Sequence, residues 1–325
     1  MKIGIWIPKY YDTSVKIYTE NIIPHLNALG VEFVEVRNNE NIPDVDLIWD
    51  PNCTGAKYPN RKIFSSTIPW IVTLHGASNF SLPLSYNYST WKEKIIGLYK
   101  NLKRKIAWSI YKNKVTQIIT VSKYAKEEIV AHLDINPNKI VVIYHGYDDE
   151  YFLPRSGEKL YLLHISMYQK KKNVDRIISA YQKINSPRLP LKIICPNYPT
   201  TINDINIELQ TEKIDTKAVA NLMKASYGFV FPSIHESFGM PLIEAMASGT
   251  AVITSNNTAC REIIDDAGIL INPFDENELQ LAMEQLLNDE VLRNNLVEKG
   301  LERAKDFSWE KSARLHYEIF KRTIS

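Results

Sequence analysis

Two glutamates with seven residues between them, Glu236 and Glu244, bracket a run suited to a phosphorylated ligand. The run reads Pro232-Ser233-Ile234-His235-Glu236-Ser237-Phe238-Gly239-Met240-Pro241-Leu242-Ile243-Glu244-Ala245-Met246-Ala247-Ser248-Gly249. An apolar stretch at 228–231 leads into it as a strand, Pro241 suits the first position of a helix and Gly249 suits its stop. Ser237, Phe238, Gly239 and Met240 then form the helix N-terminus, whose unpaired backbone N–H groups and dipole attract phosphate. Gly239 lets the backbone approach a ligand closely. Glu244, about one turn into the helix, is placed to accept hydrogen bonds from two adjacent ribose hydroxyls, and Glu236 to hold the hydroxyls of a sugar. The plainer alternative is a helix-terminal Glu and a surface Glu, each contributing a few tenths to about 1 kcal/mol through the dipole. The complete strand–loop–helix with its punctuation favours the ligand.

The elements that must position this run follow from the rest of the chain. Ile- and Val-rich runs alternate with amphipathic stretches, which predicts βαβ units and parallel sheets. Strands are expected at 3–7, 31–36, 47–49, 70–74, 117–121 and 140–144, then at 161–165, 191–195, 228–231, 251–254 and 268–271. Pro154, Ser156 and Gly157 interrupt both patterns and suggest a boundary there. The expected architecture is α/β, with two doubly wound parallel-sheet domains over residues 1–153 and 154–306. A terminal helix over 307–325 has Ser308 as its N-cap, Glu310 in its first turn, and Trp309, Ala313, Tyr317 and Phe320 on a core-facing stripe. A dinucleotide-binding dehydrogenase would need closely spaced glycines after the first strand; the chain reads Pro8-Lys9-Tyr10-Tyr11-Asp12 there and holds no GxGxxG or P-loop.

At 325 residues, two domains are expected, and 45% apolar residues suffice for a core in each. The net charge of +2 carries no nucleic-acid footprint. Three cysteines, Cys53, Cys195 and Cys260, form no CxxC pair and suggest neither a disulfide framework nor a zinc site. With no apolar run long enough for a leader or a membrane span, a cytoplasmic chain is expected. Asp44-Val45-Asp46 resembles a metal–diphosphate DxD, but it precedes a buried strand without companion oxygen ligands and reads as structural. In 91–114, Trp91, Ile95, Leu98, Leu102, Ile106 and Ile110 recur at spacings of three or four among Lys92, Lys94, Lys100, Lys103, Arg104, Lys105, Lys112 and Lys114. This predicts one or two helices docked on the sheet with a solvated basic face; the alternative is a helix resting peripherally on the inner face of an anionic membrane.

The run from Glu236 to Glu244 resembles the E-x7-E signature of the retaining glycosyltransferases of family 4, which have the GT-B fold, with two Rossmann-like domains facing a central cleft. The resemblance extends to Thr120-Val121-Ser122-Lys123-Tyr124, to Val142-Ile143-Tyr144-His145-Gly146-Tyr147-Asp148 at the domain junction, to 251–254 and 267–270, and to the terminal helix, which in that fold crosses back onto the first domain. It implies a UDP- or GDP-linked sugar as donor, retention of anomeric configuration, a glycan or lipid-linked acceptor, and no cofactor or obligatory metal. It carries the family's diphosphate-binding Lys onto Lys172, with Lys171 beside it, and sets Ser166 where the family has Arg. Thr13 and Ser14 stand where the family has Gly-Gly, on the acceptor side. His75, at the carboxyl end of an apolar run, matches a His that approaches the donor sugar. On this reading Glu236, Lys172 and His75 are catalytic, and Glu244, residues 237–240, Lys171 and Ser166 bind the donor. The alternatives are an inactive GT-B partner that binds nucleotide or glycan, and a GT-B epimerase or phosphorylase.

Overall fold

Strands buried on both faces read as short runs of Val, Ile and Leu, and in the computed structural model these runs form two six-stranded sheets. The structure describes residues 1–8, 13–37, 41–155, 157–185 and 189–325. The chain divides into two units, Met1–Gly146 with Ser308–Ser325, and Tyr147–Phe307.

The first unit runs β1 (Lys2–Trp6), α1 (Thr13–Ala28), β2 (Glu32–Val36), β3 (Leu47–Cys53), β4 (Trp70–Leu74), α2 (Ser78–Ser81), α3 (Trp91–Tyr111), β5 (Gln117–Thr120), α4 (Lys123–Leu133) and β6 (Ile140–Val142). Its sheet order is β2-β1-β3-β4-β5-β6, parallel throughout. The second unit runs β7 (Tyr161–Ile165), α5 (Val174–Gln182), β8 (Leu191–Ile194), β9 (Ile207–Gln210), α6 (Thr216–Ala225), β10 (Ser226–Phe231), α7 (Met240–Ala247), β11 (Ala251–Ser255), α8 (Thr258–Ile264), β12 (Gly268–Ile271), α9 (Glu276–Asn288) and α10 (Glu290–Ala304). Its order is β12-β11-β10-β7-β8-β9, also parallel. Strand β9 is absent from the sequence-based expectation: it is a sheet edge with only Ile207 buried, so it lacks an apolar run.

The last helix, α11 (Trp309–Ile324), belongs to the first unit. Ser308 caps it by accepting from the Lys311 N–H, as its position before Trp309 predicts. Its buried face carries Trp309, Ser312, Ala313, His316, Ile319 and Phe320; Tyr317, expected on that face, is only half-buried.

The units meet in sequence at Gly146, not after residue 153. Ser156 lies outside the described residues. Pro154 lies within the second unit, where a Cβ on Gly249 would sit 3.2 Å from the proline Cβ. Gly146 is pinned in the first unit: a Cβ there would lie 2.1 Å from the backbone nitrogen of Trp309. Gly146→Ala is therefore expected to lower stability by about 1–3 kcal/mol, as overpacking does, and to lower the melting temperature. An unchanged melt would show that α11 yields without cost.

Helix α3 is one continuous helix, opened by a capping box in which Thr90 accepts from the Glu93 N–H and Glu93 accepts from the Thr90 N–H. Its orientation overturns the docked-stripe expectation. Trp91, Ile95, Leu98, Leu102, Ile106 and Ile110 are between 53% and 67% exposed. The face that docks instead carries Gly97, Trp108 and Tyr111. Gly97 makes that contact: a Cβ there would stand 2.2 Å from the ring of Tyr88.

Candidate active site

In the second unit the chain leaves β7 toward one sheet edge through β8 and β9, then returns to β10 and proceeds to the other edge through β11 and β12. Connections diverge between β7 and β10, and the carboxyl ends of strands at such a switch point are where α/β sheets bind ligands. Ser166 follows β7 there, and 232–236 follows β10.

After β7 a 3-10 turn spans Lys170–Lys172 and ends on Asn173 in the left-handed region, φ 65°. Asn173 is locked in place: its Nδ2 donates to the carbonyls of Pro232 at 3.0 Å and Pro273 at 2.7 Å. Arg176 donates to the Asn173 Oδ1 and to the Pro273 carbonyl. The Ile234 N–H donates to the Lys171 carbonyl at 2.7 Å, tying the turn to the segment after β10. These bonds set the Lys172 Nζ on the Glu236 Oε1 at 2.5 Å, with the two side chains only 15% and 11% exposed. The ammonium also lies 5.0 Å from the centre of the Phe231 ring. Burial pushes the Glu236 carboxyl up, but the charges of Lys172 and Lys171 and the hydrogen bond from Lys172 hold it below its ordinary value. Glu236 is thus a buried, ionised carboxylate rather than a surface glutamate.

Ser166 is buried, and its Oγ is 2.8 Å from the His164 Nε2, while the His164 Nδ1 is 2.8 Å from the Val230 carbonyl. Burial lowers His164 to about 4, so the ring is neutral. A carbonyl can only accept, so Nδ1 carries the proton and Nε2 accepts from the serine. The Ser166 hydroxyl hydrogen is therefore engaged by His164.

The loop after Glu236 enters α7 through Gly239, whose φ of +96° favours glycine. Phe238 anchors the loop against Phe307, with ring centres 6.0 Å apart and planes at 78°. Ser237 and Met240 are half-buried; Met240 opens the helix and Pro241 is its second residue, one position later than the sequence suggests. Glu244 lies in the second turn of α7. Among the described residues no hydrogen bond reaches its carboxylate. Burial, and then the charge of Asp148, raise it to about 7. The role of Asp148 was not legible: the sequence shows it only as part of a turn, and nothing places it near Glu244.

The remaining predicted residues lie in the first unit. His75 directly follows β4, and its Nε2 donates to the Pro51 carbonyl at 2.8 Å. Its ring is 5.1 Å from Tyr18 and 5.8 Å from His145. Burial, with the charges of His75 and His316, holds His145 well below the usual histidine range. The Tyr18 hydroxyl joins the cluster to α11, 2.7 Å from the His316 Nε2. Ser14 is exposed on α1. Thr13 opens that helix, but its side chain, like residues 9–12, lies outside the described ones. Asp46 has a structural partner, accepting from the Lys2 N–H at 2.7 Å. The structure therefore assembles Ser166, Lys171, Lys172, Glu236, residues 237–240 and Glu244 in one unit, and places His75, Thr13 and Ser14 in the other.

Known proteins match both units. Residues 149–303 match the family model of the group 1 glycosyl transferases, and residues 16–151 that of Glycosyltransferase Family 4. An uncharacterized glycosyltransferase of Methanocaldococcus jannaschii is 30% identical over 93% of this chain and 84% of its own. The O-antigen chain mannosyltransferase B of Escherichia coli is 26% identical over 74% of this chain and 67% of its own. Among solved structures, Anabaena HepE in complex with UDP and glucose superposes with a TM-score of 0.74 at 14% identity, covering 99% of this chain and 100% of its own. The two parallel sheets have the GT-B fold, and with relatives of this kind over nearly its whole length, the chain belongs to the group 1, family 4 glycosyltransferases.

Proposed function

We propose that the chain transfers a hexose, with retention of configuration and without an obligatory metal or cofactor, from a UDP- or GDP-linked donor to a glycan or lipid-linked acceptor, from the cytoplasmic side of a membrane. The observation that carries this reading is the buried Lys172–Glu236 pair at the β7/β10 switch point, followed directly by the N-terminus of α7. The mannosyltransferase relatives make mannose the first sugar to test; the UDP held by HepE makes uridine the first base.

The chemistry follows from the positions. Breaking the bond between the anomeric carbon and the diphosphate builds negative charge on the leaving oxygen. Lys172 and the N–H groups around Gly239 supply fixed positive charge to that oxygen, at a few kcal/mol per well-placed donor. The Glu236 oxygen that does not hold Lys172 accepts from sugar hydroxyls, and Glu244 accepts from the ribose. His75 belongs to the same reading as a group that meets the donor sugar, and Thr13 and Ser14 as part of the acceptor side.

The test is a thermal-shift panel of UDP- and GDP-linked hexoses, followed by product analysis for anomeric configuration. A bound donor at 100 times its dissociation constant adds about 2.7 kcal/mol of stability. A chain that binds nucleotide or glycan but forms no product, or that responds to no nucleotide, would be an inactive partner. One that converts its donor without an acceptor, or only with inorganic phosphate, would be an epimerase or a phosphorylase.

A further inference from the structure

We propose that α3 is a docking surface for an anionic bilayer, lying in the plane of the membrane with its apolar stripe in the headgroup–acyl boundary. This goes beyond the donor chemistry and stands independently of it. Counted at about 100° per residue, Trp91, Ile95, Leu98, Leu102 and Ile106 fall within roughly 80° of arc. All five are more than half exposed. Lys94 and Lys105 border the stripe on one side, and Lys92 and Lys103 on the other. The opposite face, with Gly97, Trp108 and Tyr111, holds the helix to the first unit.

Charge decides the occupant. Residues 91–114 carry eight Lys and Arg against the single Glu93, a net charge of +7 in a chain whose total is +2. Glu93 is itself committed to the capping box. An apolar stripe between two cationic rows fits a surface that offers acyl chains below and phosphates at the same level. A second copy of the chain would set those rows against each other, like charge facing like. The stripe is also too mixed for a span: no described helix is long and apolar enough to cross a membrane.

The structure supplies its own reporter. Trp91 is 67% exposed, while Trp6, Trp49, Trp70, Trp108 and Trp309 are all buried. Fluorescence of the full chain should therefore shift to the blue, and lose access to acrylamide, on vesicles of equal parts phosphatidylglycerol and phosphatidylcholine. Trp91→Phe should abolish the shift. Binding should fall as salt rises, since exposed charges are screened within a Debye length, and should be weaker on pure phosphatidylcholine. Leu98→Ser/Leu102→Ser/Ile106→Ser should weaken vesicle partitioning by about 100-fold. Because these side chains are exposed, the melt and the UDP and GDP titrations should stay unchanged, which separates this proposal from the donor reading. Three results would overturn it: no vesicle binding at low salt, wild-type binding by the triple variant, or self-association of the wild type that the triple variant abolishes while neither binds vesicles. The last would make the stripe an interface between copies.

Discussion

Lys172→Ala is expected to lower turnover by about 10²–10³, the usual effect of removing one preorganised donor to a developing charge. Donor affinity should fall less, because charge on the leaving oxygen grows toward the transition state. The structure adds a second consequence. Lys172 is the ion-pair partner of Glu236, and both side chains are largely buried. Removing one member of such a pair strands the other charge and typically costs about 3–5 kcal/mol. The nearby Lys171, whose charge also lowers Glu236, should keep the loss at the lower end. Glu236→Gln in the same background removes the stranded charge, so it should recover the melting temperature without recovering turnover. The pair also sets a pH dependence. Glu236 is held below its ordinary 4.5, so its contribution to stability is complete above that value and is lost as pH falls through the depressed one. Ser166→Arg, which would recreate a cation at the position where the family has one, should not rescue Lys172→Ala. Its side chain would start from a buried site already filled by the bond to His164. Steady-state kinetics and melts of these variants check each step. Wild-type turnover in Lys172→Ala would assign the charge to Lys170 or Lys171 instead.

The contrast between Lys172 and Ser166 shows where the sequence was sufficient and where it stopped. The strands at 70–74 and 161–165 are legible to the residue, because strands inside a parallel sheet are apolar along most of their length; 268–271 is a half-buried edge strand, legible because its Gly-Ile-Leu-Ile run is apolar where that of the other edge, β9, is not. The start of α11 is legible for a local reason: a serine cap is a bond between residues three apart. The loop into α7 is legible because proline, glycine and helix geometry constrain one another over a few positions. Other features depend on residues far apart in sequence. The pairing of Lys172 with Glu236 spans 64 residues, and no spacing rule reports it. The same holds for the effect of Asp148 on Glu244. The direction of α3 failed for a different reason. Periodicity locates an apolar stripe but not what it faces, and Gly97 with Trp108 on the opposite side decided the docking. A glycine and a tryptophan on the polar side of a predicted helix were the available signal.

Glu244→Ala is expected to weaken UDP or GDP binding by about 1–3 kcal/mol, the range for losing hydrogen bonds to a charged group. That is roughly a 5- to 150-fold rise in dissociation constant at about 1.4 kcal/mol per decade. The fold should hold, since the carboxylate makes no hydrogen bond among the described residues whose loss would be felt. The raised value of about 7 gives the assignment a sharper test than affinity alone. Without ligand, Glu244 is largely protonated at pH 6 and largely ionised at pH 8. Two ribose hydroxyls donating to the carboxylate favour its ionised form, so binding must lower its pKa and release a proton. Binding should accordingly strengthen as pH rises through about 7. Calorimetric enthalpies measured near pH 6 should differ between buffers of different ionisation enthalpy, in the sense of proton release. Glu244→Gln should abolish that difference. Asp148→Asn removes the charge that helps raise Glu244, so it should shift the pH midpoint downward and leave binding at pH 8 intact. Proton release that persists in Glu244→Gln would belong to another group. Unchanged nucleotide affinity in a folded Glu244→Ala protein would remove the ribose from this glutamate altogether.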